Sequence, residues 1–267
     1  MKKIFLATAV VLGLMTFWSC QKEISLEVGG LPVANNRRCI NCTYLPFCDS
    51  SEFTYLVDGV DTMTGPVFIK NDTLVNGQSF SQVSAIPGFG QGLLYSCAGG
   101  DYRLAFPLSQ LGLDPDSIRQ LMAPLLDSLL PVPADPSSLA IPDVLYATIL
   151  KANNAQGSTW LDTITAITIP FGTPPLVFHL RVYAGIEYTY LEKNSSRTVL
   201  GRNYTNVQHV QGKPKIGLTI PVPVPVPLPP IDGQLDFYLA KDIGVIEMEQ
   251  RDSTGVQRSA KLMRFRL

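Results

Sequence analysis

Histidine is almost absent from this chain, and charge is scarce. Its 267 residues hold two histidines, His179 and His209, and only 16% of them are Asp, Glu, Lys or Arg. Neither histidine belongs to a His-Glu-x-x-His pair, and there is no Gly-x-Ser-x-Gly elbow or phosphate-cradling glycine loop. The usual arrangements for zinc or serine hydrolysis and for nucleotide binding are therefore missing. No run of Lys or Arg exceeds two residues and the net charge is −1. On composition, neither nucleic acid nor an anionic membrane surface is implied as an electrostatic partner.

Long apolar runs are also lacking, with one exception at the start. Lys2 and Lys3 precede an uncharged apolar stretch, Ile4 to Phe17, that ends at Ser19-Cys20. It is too short to span a bilayer and has the layout of a secretory signal. The cysteine at its end reads as a lipidation site, with residues 1–19 the signal and acyl chains on Cys20 as the anchor. Each buried methylene adds about 0.8 kcal/mol, so two or more chains hold durably. Phe17 and Trp18 depart from the Leu and small residue that usually precede such a cysteine. Gln21, Lys22 and Glu23 resemble the short charged signal that sends Bacteroidota lipoproteins to the cell surface. The expected location is thus the outer membrane, lipid-anchored and facing outward.

Without the signal close to 250 residues are left, enough for a proper core. Low charge together with 21 Pro and 21 Gly suits short strands and turns better than long solvated helices. Residues 20–38 lack any sustained period and read as a lipidated tether. Residues 39–267 are expected to form a single β-rich domain. Strands are predicted at Phe53 to Val57, Pro66 to Ile69, Gln82 to Ile86, Gly92 to Cys97 and Tyr102 to Phe106, between Gly, Asn and Asp turn signals. After a Pro- and Ser-rich link, a second meander is predicted at Thr159 to Ile169, Leu176 to Tyr183, Glu187 to Leu191, Tyr204 to Val210, Leu235 to Ala240, Gly244 to Glu249 and Leu262 to Leu267.

Two segments break the β pattern. From about 114 to 131, Ile118, Leu121, Met122, Leu125, Leu126, Leu129 and Leu130 recur at helical spacing, with Asp114 as N-cap and Pro124 as a kink. This helical insertion packs on the core or forms an apolar lid. The second is a Pro-rich loop at 220–230, where prolines at every second position rule out a helix or central strand. It is expected to be extended. If the chain carries an apolar ligand, Leu121, Leu125 and Leu129, with Val222 and Val224, are the candidates to line its groove. A faint repeat also stands out, Gly77-x-x-Phe80-x-x-Val83 against Gly201-x-x-Tyr204-x-x-Val207. It predicts two similar hairpins in one curved sheet.

Four cysteines follow the anchor: Cys39, Cys42, Cys48 and Cys97. Cys39-x-x-Cys42 alone could grip zinc, but no second close pair and no nearby histidine completes a site, and an exported chain meets an oxidising compartment. Two disulfides are expected, with three pairings open and at least one bridge reaching Cys97. No metal and no cofactor is expected. Carboxylate pairs such as Glu187 with Glu192, or Asp236 with Glu247, could serve a glycosidase only if the fold joined them in one cleft.

With its Cys-x-x-Cys-x-Tyr-x-Pro-x-Cys start and Phe237-Tyr238-Leu239-Ala240-Lys241-Asp242-Ile243-Gly244 near the end, the chain resembles uncharacterised Bacteroidota surface lipoproteins. The second segment is similar to that of proteins with an open β half-barrel. The resemblance implies a mainly β, curved antiparallel sheet. The function expected is non-catalytic, binding or structural work at the cell envelope; the alternative is a carrier or sensor of an apolar, lipid-like ligand. Its partners would be the membrane, through the anchor, and an envelope protein or that ligand. Six Asp-Ser/Thr triplets also resemble Bacteroidota O-glycosylation sites. Thr62, Thr73 and Ser253, expected in turns, are the candidates.

Overall fold

The computed structural model describes residues 38–75, 77–86, 90–91, 93–108, 114–117, 119–120, 141–173, 176–219 and 232–267. Cys20 with the signal and nearly all of the tether, most of the expected helical insertion and the Pro-rich loop lie outside them. Of the insertion, residues 115–117 and 119–120 are helical. Asp114 is their cap as expected, accepting the Ser117 N–H at 2.9 Å and the Ser117 hydroxyl at 2.5 Å.

The strands run in chain order as β1 Cys39–Ile40, β2 Phe47–Cys48, β3 Ser51–Val57, β4 Asp61–Val67, β5 Ile69–Val75, β6 Gln78–Val83, β7 Ala85–Ile86, β8 Gly90–Gln91 and β9 Leu94–Ser96. They continue as β10 Asp101–Pro107, β11 Val144–Lys151, β12 Thr159–Thr173, β13 Leu176–Val199, β14 Arg202–Thr219, β15 Gln234–Ala240, β16 Gly244–Asp252 and β17 Gly255–Arg266. The expected mainly β, antiparallel architecture is what forms, and it is not a closed barrel. The meanders sort into an eight-stranded sheet, ordered β12-β13-β14-β15-β16-β17-β3-β4, and a five-stranded one, β11-β10-β9-β6-β5. Two small pairs, β1-β2 and β7-β8, complete it.

Alternation explains which face is buried. On β3, Phe53, Tyr55 and Val57 turn inward beside Ala260 and Leu262 of β17 and Phe237 and Leu239 of β15. From the other sheet come Val83, Tyr95, Leu104 and Ile149, so one continuous apolar cluster fills the space between the sheets. Each such side chain contributes about 1.5–3 kcal/mol on burial.

The sheets meet at two seams. At one, the chain passes from β4 to β5 through Phe68 alone, whose N–H donates to the Ser84 hydroxyl at 2.9 Å while its carbonyl accepts the Ser84 N–H at 2.8 Å. At the other, side chains of β12 take the place of a ladder with β11. The Asp162 carboxylate accepts the Thr148 N–H and hydroxyl, and the Trp160 indole donates to the Thr148 carbonyl at 2.8 Å.

Three sequence expectations change here. β4, β5 and β11 extend through stretches read as turn or link. β13 is a single strand where two were expected; Gly185 carries it through, because a Cβ there would lie 2.4 Å from the Asp162 carbonyl oxygen. The repeat does mark two hairpins, but one lies in each sheet. Gly77 and Gly201 turn them at φ of +77° and +78°, and Val83 and Val207 are fully buried. Positive φ at both turns is the reason the repeat begins with glycine.

The long strands make the molecule bipolar. β15 pairs with β14 only from Val207↔Ala240 to Gly212↔Leu235. Past that level the described sheet narrows to β12, β13 and β14 for roughly 23 Å, to Arg181↔Thr219, and to β12 and β13 as far as Thr173↔Leu176, an arm of roughly 40 Å in all at about 3.3 Å per residue. Pro214, paired with Ile186, has no amide, so it occupies a position that gives no donor to β13. The chain enters at the opposite pole, where β1 and β2 lie against the β15–β16 turn through the Asp242 N–H to the Thr43 carbonyl, 2.6 Å.

Candidate functional site

The cysteine loop is pinned first. Cys39 bonds Cys48 across the β1-β2 ladder, and Cys42 bonds Cys97 just after β9. Of the three pairings open to the sequence, this one leaves Cys39 and Cys42 joined to other partners and not to each other. Between the bridges Tyr44 reaches a buried polar chain: its hydroxyl accepts from Gln208 Nε2 at 2.7 Å, while Gln208 Oε1 accepts from the Tyr190 hydroxyl. The Tyr44 N–H donates to the Tyr102 hydroxyl at 3.1 Å. A loop of little regular structure is thereby fastened to both sheets.

On the other face of the eight-stranded sheet lies a cluster of buried charge. His209 and Gln211 of β14 stand beside Tyr238 and Asp236 of β15, and these stand opposite Glu247 and Glu249 of β16. Asp236 is 2% exposed and Glu247 3%. Like charges directly opposite repel, and Asp236 faces Glu249 in register. Arg251 resolves the conflict, with Nη2 on Glu249 and Nε 3.5 Å from Asp236. Glu247 is held by Arg197 Nε and by Lys261 Nζ at 3.3 Å. Tyr238 is sandwiched, His209 stacked at 4.1 Å between centroids and the Arg197 guanidinium 3.5 Å from its ring.

His209 is the most constrained member. Its Nε2 lies 2.9 Å from Asp236 Oδ1, and its Nδ1 is buried without a hydrogen-bond partner, 4.0 Å from Glu192 Oε1. Burial pushes the Asp236 carboxyl up, but hydrogen bonds from His209 and Gln211 and the His209 and Arg251 charges outweigh it and hold it below the usual range. Burial raises the Tyr238 hydroxyl to about 12. Across the sheet Glu187 pairs with Lys215.

Of the carboxylate pairs weighed from sequence, the fold joins one and separates the other. Glu187 and Glu192 are five positions apart along β13, roughly 16 Å, beyond the 5–9.5 Å or so that glycosidases use. Asp236 and Glu247 are diagonal neighbours on one face, roughly 7–8 Å apart by sheet geometry, but both are engaged by cations. Glu249 and His209 complete the cluster and were not read as members. The alternation of Asp236 with Tyr238 and of Glu247 with Glu249, across a short turn, was the available signal. His179 lies on β13 in the arm. Among the described residues no group of three His, Cys, Asp or Glu gathers to hold a metal ion.

Leu121, Leu125, Leu129, Val222 and Val224 lie outside the described residues. The glycosylation candidates need correction on position. Thr62 and Thr73 are in strands β4 and β5, not in turns, because each belongs to a hairpin whose turn is shorter than the sequence suggests. Both are on sheet edges. Ser253 is in the β16–β17 turn as expected, exposed, with its hydroxyl donating to Asp232 at 2.6 Å.

The fold and site thus define an antiparallel two-sheet β protein with a disulfide-fastened loop and a buried ionic face. No protein-family model matches the chain, and no relative is found among curated proteins. Among solved structures it is similar to a provisionally described lipoprotein of Parabacteroides distasonis, with 12% identity over 85% of this chain and 100% of that one, TM-score 0.39. It is also similar to a provisionally described exported protein with a YmcC-like fold from Bacteroides fragilis, with 7% identity over 84% and 99%, TM-score 0.36. At these scores the likeness is loose, and nothing about activity follows from it.

Proposed function

We propose that this chain is a lipoprotein of the bacterial outer membrane, acylated on Cys20 and displayed at the cell surface, that works as a binding or structural module without catalysis. The observation that supports this reading most is the state of the buried carboxylates. Asp236, Glu247 and Glu249 are each engaged by a cation or histidine, which suits a rigid scaffold better than a free acid and base.

Two measurements test this. The Cys20→Ser chain should lose its acyl chains and leave the membrane fraction in detergent phase partitioning; equal retention would mean another anchor. Native mass spectrometry of detergent-free protein should give a ligand-free mass. A co-purified lipid within the domain would instead favour the carrier of apolar ligands.

A further inference from the structure

We propose that the outward face of the β12–β13–β14 arm carries a binding site for an acidic sugar ring, with the ring of Tyr183 as its floor. β13 pairs with β14 without a shift from Tyr190↔Val210 to Arg181↔Thr219. The buried Tyr188 and Tyr190 put even positions of β13 on the core side, so Arg181, Tyr183, Gly185 and Glu187 lie on the other. Beside Tyr183 in register stand Ala166 of β12 and Gly217 of β14.

Tyr183 lies across Gly217. A Cβ placed on that glycine would be 1.9 Å from Tyr183 Cζ and 2.2 Å from both its Cε1 and its hydroxyl oxygen. Near-equal distances to these three bonded atoms put the Cβ over the face of the ring and not at its edge, so the ring rests flat on the glycine. The core side holds a second pair of this kind, Tyr188 beside Gly212, where a Cβ would lie 3.0 Å from Tyr188 Cε1. There Trp160 stacks on the tyrosine, with 5.5 Å between centroids and 15° between planes. Tyr183 has no ring stacked on it among the described residues and is only half-buried. Ala166, Gly185 and Gly217 carry at most a methyl group, so nothing at these three positions rises over it. The result is an aromatic floor in a shallow tray.

Chemistry selects the occupant. The face of an aromatic ring is negative, so it attracts polarised C–H groups such as those on one side of a pyranose. The rim is cationic. Arg181 and Lys213 are exposed and form no ion pair among the described residues, and Thr168, opposite Arg181, is exposed too. Lys215, opposite Gly185, binds Glu187. Residues 163–173, 176–186 and 213–219 contain no Asp or Glu, although the chain as a whole carries −1. A sugar stacked on Tyr183 thus has Arg181 about 7 Å along the strand to meet a carboxylate, which a guanidinium can bind in bidentate fashion. A neutral sugar would leave the cations unused, and a simple anion would leave the ring face unused. Arg181 is more than thirty residues from the two lysines in sequence, so only register brings these cations to one face. The site gives the binding role proposed above a ligand class and rests on that reading.

The test is an NMR titration of the mature Cys20→Ser chain, made without residues 1–19, with the trimer of galacturonic acid. Binding should be about 5-fold weaker with the neutral galactose trimer and with triglutamate, which carries carboxylates without sugar rings. Tyr183→Ala should weaken binding of the acidic trimer about 10-fold, and Tyr183→Phe should leave it unchanged. Arg181→Ala should weaken it about 5-fold. Gly217→Ala removes no group, and the backbone there is outside the left-handed region, so the fold holds while the added methyl lifts the ring from its seat. Binding should then fall as it does in Tyr183→Ala. Should Tyr183→Ala lose its near-UV circular dichroism, Gly217→Ala and the surface variant Arg181→Ala decide. No binding of the acidic trimer, equal binding of triglutamate, or binding indifferent to these substitutions would each overturn the proposal. The chain used has no acyl anchor, so failure here and failure of the Cys20→Ser partition experiment are separate findings.

Discussion

At the scale of single residues, four cysteines and one aspartate hold more than their size suggests. The Cys42–Cys97 bridge spans 55 residues and Cys39–Cys48 spans 9. On the chain-entropy model these closures stabilise the fold by about 4 and about 2.6 kcal/mol. Cys97→Ser should therefore lower the urea-derived stability by about 4 kcal/mol and expose one titratable thiol at Cys42, while the intact mature domain shows none. Asp236 acts through charge. Its carboxyl is held below its ordinary 3.8 in the fold, so its stabilisation is fully present above that value and is lost as pH falls through the folded value. Asp236→Asn should flatten the acid limb of a urea-midpoint titration. Asp236→Ala, which strips His209 and Arg251 of a buried partner, should cost about 3–5 kcal/mol.

At the scale of elements, the β11–β12 seam depends on two side chains, Asp162 and Trp160, in place of a ladder. Burial raises the Asp162 carboxyl, against the Thr148 hydrogen bonds and the Lys151 and Arg103 charges that pull it down. The sign is opposite to that of Asp236. Between 3.8 and the raised folded value, folding takes up a proton, so this group's contribution falls as pH rises through that window. Asp162→Ala should cost about 1–3 kcal/mol by leaving the Thr148 N–H without its acceptor. Asp162→Asn should recover part of that and abolish the opposite-signed pH dependence. Urea midpoints of the two variants across the acid range check both statements.

At the scale of the whole molecule, the described residues have two poles, with the disulfides at one and an acid-free arm at the other. Much of this was legible in sequence. Period-two alternation announced β3, while β15 and β16 are buried on both faces. The strand read at Tyr204 to Val210 lies within β14, which runs on through Pro214 to Thr219. β11 was missed because the flanking Pro- and Ser-rich residues masked an ordinary strand, and β4 and β5 because their exposed positions give little apolar signal. Of the ionic face, Asp236 and Glu247 were legible as a candidate pair and His209 as an isolated histidine. Their union was not, since it needs β14, β15 and β16 side by side.

By itself, then, the sequence determined the β character and the oxidised cysteines, since each follows from local chemistry: composition with turn signals, and thiol count. Only the tertiary structure decided which cysteines pair, that one repeat lies in each sheet, that Arg251 separates two opposed carboxylates, and that the cations of the arm share a face. All of these depend on strand register, which is set by how the long hairpins pack and not by any residue's own preference.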